Sequence, residues 1–565
     1  MRHAEPMRLP GVDAAWVRSQ LMGSDAVVQT PFGERRIVYA DHVASGRSLR
    51  WIETFITDQV LPFYANTHTE DSATGACMTS LVHDAARVIK ACLGAEDCKL
   101  LFCGTGSTAA IKRLQEILGL VVPEGLREPF IAALDPGARP LVFVGPYEHH
   151  SNEVSWRETM VEVVEIPLDA KGAIDLGALR QALHEARAVH EARGACGSGR
   201  PIFGSFSAAS NVTGAITDTR AVARLIHEHG GLVFFDFAAA APHAAIDMRA
   251  GQPDGYDAIF VSVHKLVGGP GTPGLLVFDP ALYHLRAPST AGGGTVAFVS
   301  AHAHHFVADI EQREDAGTPG TLQRIRAALA FLVRQSVGVQ DIERLEASMI
   351  SRAIRRLRQH SRIELLGNLD APRLAILSFL VHTADGRHLH PRLVARLLND
   401  LFGIQSRGGC ACAGPYALHL LDIGRTHADA LRDAVLAGFE VLKPGWTRIN
   451  FSYFIDEAEF EFLLLAIEFI AEHGERFMAA YTCDWRSGAW RHPGDTAQAG
   501  LLSMATREAP RCSPEPIAHR ECMARAHTLL AGLANKAVPA SCGAPGRSQA
   551  ELPGGLPAAL VSFSH

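Results

Sequence analysis

Several short stretches carry side chains that could do chemistry. In Tyr256–Leu276, YDAIFVSVHKLVGGPGTPGLL, an apolar run ends at Ser262-Val263-His264-Lys265 and a Gly/Pro-rich loop follows. A lysine there leaves a strand at its carboxyl end, the side on which open α/β sheets bind ligands. The ordinary alternative is a surface lysine lying along a loop. In Leu232–Ala241, LVFFDFAAAA, Asp236 ends another apolar run; alone it reads as an aspartate capping a turn. Together, a lysine and an acid on nearby strand ends suit pyridoxal phosphate, which needs a Schiff-base lysine and a carboxylate for its pyridine nitrogen. Phe102–Lys112, FCGTGSTAAIK, is a glycine loop between a strand and a helix. Backbone N–H groups there, with the Ser107 and Thr108 hydroxyls, suit a phosphate. Gly104, Gly106 and Ala109 also approximate the G-x-G-x-x-A of dinucleotide sites, and a plain βα turn accounts for them equally.

Gly145–Trp156, GPYEHHSNEVSW, places two histidines after a strand, either as a solvated pair or with one imidazole lying flat on a cofactor ring. Gln405–Tyr416, QSRGGCACAGPY, sets Cys410 and Cys412 in a glycine-flanked loop beside Arg407. A thiol there could be exposed and reactive, or both could be buried loop thiols. A metal pair would need a second cysteine pair of suitable spacing, and the sequence has none, so no metal is assigned. His302-Ala-His304-His305 has the look of a metal tract and is left unassigned.

These residues need elements to position them. Near-continuous apolar runs predict strands at Lys99–Cys103, Pro140–Val144, Val161–Ile166, Pro201–Phe206, Leu232–Asp236, Ala258–Ser262 and Gly274–Phe278. Between them lie amphipathic helices such as Ser107–Leu118, Leu176–Ala192 and Thr219–His229. Strands apolar on both faces, alternating with helices, predict an α/β domain with a mostly parallel sheet. After Pro319 the pattern becomes α+β: helices at Leu322–Val337 and Gln340–Gln359, a strand at Leu374–His382, a helix at Pro391–Phe402, a Gly/Cys loop at Ile404–Pro415, a half-buried alternating strand at Thr447–Tyr453, and a helix at Asp456–Glu472. The expected division is an N-terminal segment 1–34, a large α/β domain 35–320, a smaller α+β domain 321–480 carrying the cysteine loop, and a poorly ordered tail or appendage 481–565 with one helical candidate at Pro516–Leu533. No internal repeat is present.

Across 565 residues, 47% hydrophobic and 20% charged, wholesale disorder is excluded and a sizeable core expected. The formal net charge of −7 gives no electrostatic case for nucleic acid or an anionic membrane as partner. No apolar run is long enough to span a bilayer, and the start, MRHAEPMRLPGVDAAW, lacks the apolar stretch of a signal peptide. A cytoplasmic protein is expected. Its 11 cysteines are too dilute, and odd in number, for a disulfide scaffold.

Taken together, the motifs resemble the class V aminotransferase family of pyridoxal-phosphate enzymes, with the cysteine desulfurase and selenocysteine lyase branch nearest, over roughly residues 35–475. Tyr39-Ala-Asp41-His-Val-Ala looks like the opening Y-L-D-N-A-A; Gly106-Ser107-Thr108 resembles the phosphate-binding G-[AT]-T. Glu148-His149-His150-Ser-Asn152 matches E-H-H-x-N, whose first histidine stacks on the pyridine ring. Ser210-Asn211-Val212-Thr213-Gly214 matches S-N-x-x-G, whose asparagine contacts the ring oxygen. Asp236 falls on the pyridine-nitrogen aspartate. Ser262-Val-His264-Lys265 matches S-x-H-K, in which Ser and His hold the phosphate and Lys forms the Schiff base. Ala316-Gly317-Thr318-Pro319 matches A-G-T-P, whose threonine reaches the phosphate bound in the partner subunit, which implies a homodimer. Arg407 followed by Cys412 resembles R-x-x-x-x-C, the loop of the sulfur-accepting cysteine, and Arg448 matches the arginine that clamps the substrate carboxylate.

The sequence departs from the family where D-x-A-Q becomes Asp236-Phe-Ala-Ala239, and where H-R-G-x-H becomes Ala65-Asn66-Thr67-His68; Cys410 is extra. The resemblance implies a type I fold, an amino-acid substrate, Lys265 and Cys412 as the catalytic residues of a desulfurase yielding alanine and a cysteine persulfide, and a sulfur-acceptor protein. Transamination, racemisation or epimerisation, and β-elimination use the same lysine and aspartate without a thiol. A nucleotide-binding oxidoreductase using Gly104–Ala109 and a non-catalytic binding protein are the readings from other classes.

Overall fold

The computed structural model describes residues 7–67, 69–135, 138–192, 200–409, 412–495, 519–533, 561 and 563–564. The chain divides into two compact units, one of Met1–Leu21, Val43–Leu345 and Asp370–Leu374, the other of Met22–His42, Glu346–Leu369 and Ala375–His565. The expected division at 34, 320 and 480 was linear; this one is interleaved. Residues 22–42 join the C-terminal unit because Val38–Tyr39 pair in parallel with Ile404–Gln405.

The first unit is built on a seven-stranded sheet. Its strands are β1 (Lys99–Cys103), β2 (Leu141–Val144), β3 (Glu162–Glu165), β4 (Ile202–Ser207), β5 (Leu232–Asp236), β6 (Ala258–Ser262) and β7 (Gly274–Phe278). These are the strands expected from the apolar runs, shifted at their ends by a residue at most. Their spatial order is β1-β7-β6-β5-β4-β2-β3. All run parallel except β7, which is antiparallel to both neighbours. The short Gly/Pro-rich link from Ser262 to Gly274 leaves no room for the crossover helix of a parallel return. β2, β6 and β7 are buried throughout, which is why their sequences are continuously apolar.

The helices α1 (Ala73–Cys92), α2 (Gly106–Ile117), α3 (Leu176–Ala192), α4 (Thr219–Glu228) and α5 (Thr321–Val337) belong to this unit. α2 turns Ala110, Ile111, Leu114 and Ile117 into a core shared with Leu101, Leu276 and Phe278 of the sheet. In that core Trp156 stacks on Phe234 at 6.3 Å and Phe203 on Phe234 at 5.8 Å. Asp218 caps α4 by accepting from the Ala221 N–H, and Val222, Ala223, Leu225 and Ile226 form its buried stripe.

The second unit holds a four-stranded antiparallel sheet of β8 (Ile363–Leu365), β9 (Ile376–Val381), β10 (Arg407–Gly409) and β11 (Trp446–Asn450), in the order β8-β9-β11-β10. β11 corrects the expectation of a half-buried strand at 447–453, since every one of its residues is buried. It lies between β9 and β10, and Thr447, Arg448 and Asn450 find partners inside: Thr447 Oγ1 donates to the Pro391 carbonyl at 3.1 Å, Arg448 Nη2 to Asp41 and Asn450 Nδ2 to Ser452 Oγ. α6 (Pro391–Phe402) has the expected bounds, and α7 (Glu457–Phe477) runs past the expected end at 472 because Gly474 and Phe477 continue its buried stripe.

Beyond 480, Thr482–Asp484 and Ala489–Arg491 form a hairpin. α8 (His519–Leu533) places Cys522, Ala526 and Leu530, one helical turn apart, in the second unit's core, and Phe563 joins them. This is the helix expected at Pro516–Leu533, which the structure describes from His519; residues 516–518 lie outside the described residues. His302, His304 and His305 are exposed, the last two in the hairpin of Val296–Val299 with His304–Phe306. Among the described residues no helix is long and apolar enough to cross a membrane.

Candidate active site

The candidate residues of the first unit stand at the carboxyl ends of its parallel strands. Ser107 and Thr108 open α2 after β1; His149 follows β2; Asn211 follows β4; Asp236 and Ser262 are the last residues of β5 and β6; His264 and Lys265 close one 3-10 turn after β6. A parallel sheet with helical crossovers brings these remote segments to one edge, where strand ends leave room for ligand.

The glycine loop is shaped around its neighbours. Gly106 has φ +58, and a Cβ there would lie 2.8 Å from His264 Cε1 and 2.9 Å from Ser262 Oγ. The Ser107 N–H donates to Ser262 Oγ at 2.9 Å, and the two hydroxyls are 3.1 Å apart. Ser107, Ser262 and His264 thus converge at the start of a twelve-residue helix, whose N–H groups and dipole favour an anion. Burial, and then the charge of Lys265, lower the His264 pKa, favouring its neutral imidazole. Thr108 is exposed and turns to Ser151, Oγ1 to Oγ 2.6 Å. The dinucleotide reading of this loop does not hold: β1 is an edge strand beside the antiparallel β7, not the central strand of a doubly wound crevice.

Asp236 is buried, and its Oδ1 accepts from the Ala238 N–H at 2.8 Å. Burial pushes this carboxyl above the ordinary range, against the Ala238 N–H, the charge of Lys265 and the Ser107 hydroxyl. Lys265 is half-buried. Behind it, the Gly46 N–H donates to the His264 carbonyl at 2.9 Å, and a Cβ on Gly46 would lie 2.0 Å from the Leu266 oxygen. Sequence reasoning missed this contact, whose sign is a glycine shortly after the Tyr39–Ala44 run.

His149 is half-buried and its Nδ1 accepts from the Ser151 N–H at 3.1 Å, which places the proton of the neutral ring on Nε2. Beneath it lies a network in which sequence reasoning gave no role to Glu148. The Glu148 carboxylate accepts from the Ser207 N–H at 2.8 Å, Ser207 Oγ at 2.6 Å, Asn152 Nδ2 at 2.7 Å and the Gly145 N–H at 3.2 Å. Asn152 Oδ1 in turn accepts from Ser205 Oγ at 2.6 Å and Trp156 Nε1 at 3.2 Å. Burial pushes the Glu148 pKa up to about 7, with nearby Asp236 adding to the shift and the hydrogen bonds opposing it. The spacing of Glu148, Asn152 and Trp156 was the available signal.

Asn211 is buried in a turn held by Ser210, whose Oγ accepts the Val212 and Thr213 N–H groups at 3.1 and 3.2 Å. Ala239 is buried. Thr318 is exposed in the turn before α5.

In the second unit, Arg407 of β10 and Arg448 of β11 are directly opposed cross-strand partners. Asp41 joins them: Arg448 Nη2 donates to Oδ1 at 2.9 Å and Arg407 Nε to Oδ2 at 3.1 Å. The Arg448 side chain is 4% exposed and that of Arg407 46%. Burial lowers the Arg448 pKa, opposed chiefly by Asp41; the Arg407 charge lowers it further and Cys412 raises it. Asp41 is held by its neighbours' backbone: Ala40 N–H donates to the Gln405 carbonyl at 2.9 Å, Asn450 N–H to the Ala40 carbonyl at 3.0 Å, and His42 N–H to Asn450 Oδ1 at 2.7 Å. Cys412 is exposed and has φ +57, a left-handed conformation uncommon for a residue with a side chain. Burial pushes the Cys98 and Cys103 thiols up to about 12. Cys410 and His68 lie outside the described residues.

Residues 38–427 match the family model described as Aminotransferase class-V. A probable cysteine desulfurase of Vibrio cholerae is 28% identical over 383 residues, covering 67% of this chain and 85% of that protein. One of Staphylococcus aureus is 24% identical over 385 residues, covering 67% and 84%. Among solved structures, the cysteine desulfurase of Thermococcus onnurineus superposes with a TM-score of 0.62 at 20% identity, covering 82% of this chain and 99% of that one. The cysteine desulfurase CsdA of Escherichia coli gives 0.60 at 21% identity, covering 81% and 98%. At these identities the structural likeness speaks for the fold, that of the type I pyridoxal-phosphate enzymes.

Proposed function

The chain belongs to the class V aminotransferases, enzymes dependent on pyridoxal 5'-phosphate, and from that premise we propose that it is a cysteine desulfurase-like C–S lyase, releasing alanine and leaving sulfur on Cys412. Its residues fit the cofactor. The Gly106 cradle, closed to a Cβ by Ser262 and His264, suits the phosphate, and the buried Asp236 carboxyl within the field of Lys265 suits the pyridine nitrogen. Ser107, Ser262 and His264 would hold the phosphate, with Thr108 at its margin; His149 would cover the ring, and Asn211 would donate to the ring oxygen. The glutamine that the family places beside the ring is Ala239 here, so that oxygen has one donor fewer.

The cofactor, when bound, draws electrons from the α-carbon of the amino acid attached to it. The chain's side chains do the rest. Arg448 holds the substrate carboxylate, aided by Arg407. The Lys265 amine takes the proton from the α-carbon and returns one after the sulfur has left. Asp236 keeps a proton on the pyridine nitrogen. The Cys412 sulfur attacks the substrate sulfur, the C–S bond breaks, and the sulfur remains on Cys412 as a persulfide.

One observation carries the choice of reaction: Cys412 is exposed, in a strained loop conformation, and close enough to influence Arg448, the residue read as holding the substrate carboxylate. Transamination, racemisation and β-elimination have no use for such a thiol. Its exposure also suits delivery to a sulfur-acceptor protein. Exposure of Thr318 accords with a homodimer in which it completes the phosphate site of the second copy. The test is incubation of the cofactor-loaded protein with L-cysteine and a reductant, measuring alanine and sulfide together. Equimolar release is expected. A protein that shows the cofactor's colour yet releases neither would reject cysteine desulfuration.

A further inference from the structure

Two arginines directly opposed on neighbouring strands repel each other. Here Arg407 and Arg448 occupy such a pair, and one carboxylate, that of Asp41, gives one oxygen to each. Asp41 comes from the far N-terminal side of the chain and is held there by backbone hydrogen bonds of Ala40 with Gln405 and Asn450 and by the His42 N–H, which donates to the Asn450 side chain. The Asp41 side chain is 13% exposed and that of Arg448 4%, so water screens this pair poorly, while Arg407, 46% exposed, is the solvent-facing member of the group. The two guanidinium groups and this carboxylate sum to a single positive charge.

We infer that Asp41 sets the charge of the carboxylate clamp, so that it accepts one substrate carboxylate and discriminates against amino acids that carry a second. The inference rests on the reading of Arg448 as the substrate-carboxylate residue. One carboxylate brings the group to neutrality; a second would leave excess negative charge beside a buried arginine. Asp41 is thus a specificity-determining residue that acts through the arginines rather than on the reacting atoms. Without its charge, the clamp would carry two positive charges and welcome a dicarboxylate.

The experiment titrates the holoenzyme with L-alanine and L-aspartate and reads dissociation constants from the cofactor's absorbance. Asp41→Asn is expected to shift the affinity ratio toward aspartate by about tenfold or more, from the Coulomb energy of one charge in a partly buried, partly screened site. Asp41→Glu should keep the wild-type ratio. A merely structural loss would weaken both ligands alike and leave the ratio in place. Arg407→Gln, at a side chain 46% exposed, leaves the group with no net charge and should shift the ratio further toward alanine, whereas loss of a carboxylate contact alone would weaken both ligands alike; this variant decides the matter if Asp41→Asn fails to fold. An unchanged ratio in Asp41→Asn or in Arg407→Gln overturns the inference. Arg448→Ala separates it from the underlying reading. If that variant weakens both ligands while the Asp41→Asn ratio stays put, the clamp stands and the role of Asp41 falls; if it weakens neither, both fall.

Discussion

Gly106→Ala tests the phosphate cradle, and its effects divide into two measurable parts. The first is conformational. At φ +58 an alanine is disfavoured by about 1 kcal/mol. This cost is present with and without cofactor, so it lowers folding stability and leaves affinity alone. The second is steric. The new Cβ would lie 2.8 Å from His264 Cε1 and 2.9 Å from Ser262 Oγ, against a favourable separation of about 3.5–4.0 Å. Both groups must retreat by roughly 0.5–1 Å, which takes them out of hydrogen-bonding range of a phosphate seated over Ser107. Each hydrogen bond to a charged group contributes about 1.5–3 kcal/mol. Loss of one, with partial loss of the other, predicts pyridoxal phosphate binding weaker by about 30-fold or more. The assay is titration of the apoprotein, followed by cofactor absorbance, against pyridoxal, which has no phosphate. Pyridoxal affinity should change by less than about threefold, since Lys265 and Asp236 are untouched. Equal weakening of both ligands, or of neither, would refute the assignment of Ser107, Ser262 and His264 to the phosphate.

Further outcomes follow from the same geometry. Lys265→Ala should lose the cofactor's visible absorption band and all turnover; a retained band would remove Lys265 from its role. Cys412→Ser should keep that band and affinity while alanine release from L-cysteine falls by a factor of about 100 or more; if alanine and persulfide persist, mass spectrometry of the sulfur adduct would shift the assignment to Cys410. Arg448→Ala should lower kcat/KM for L-cysteine by roughly 100-fold, mostly through KM, as loss of a charged hydrogen-bonding partner of about 3 kcal/mol implies. Glu148, with a pKa of about 7 in the fold, lies above its unfolded value near 4.3. The stability it contributes is therefore complete below about pH 4.3 and lost as pH rises through 7, roughly 4 kcal/mol in all. Melting temperatures across that range should fall for the wild type relative to Glu148→Gln, and a gap between the two that is constant with pH would refute the burial argument.

How much could be read from the chain alone depends on how local each signal is. The strands of the parallel sheet were legible because burial on both faces makes a strand continuously apolar within itself, as in LVFV at Leu141–Val144 and AIFVS at Ala258–Ser262. The residues at their ends were legible because glycine turns, Asp236 and the Ser262–Lys265 run sit next to those strands in sequence. α6 was legible from its own apolar stripe and the Pro391 at its start. What the sequence left undecided depends on which segments become neighbours. β11 alternates polar and apolar residues, yet all of it is buried, because flanking strands and an ion pair supply in the interior what solvent would supply outside. Asp41 reads as part of an opening motif until the fold sets it between Arg407 and Arg448. Glu148 reads as the companion of a histidine until Ser207, from another strand, surrounds its carboxylate with donors. Periodicity and turn chemistry lie in adjacent residues and survive in a string of letters. The partner of a charge is fixed by strand order and register, which only the packing of the whole chain decides.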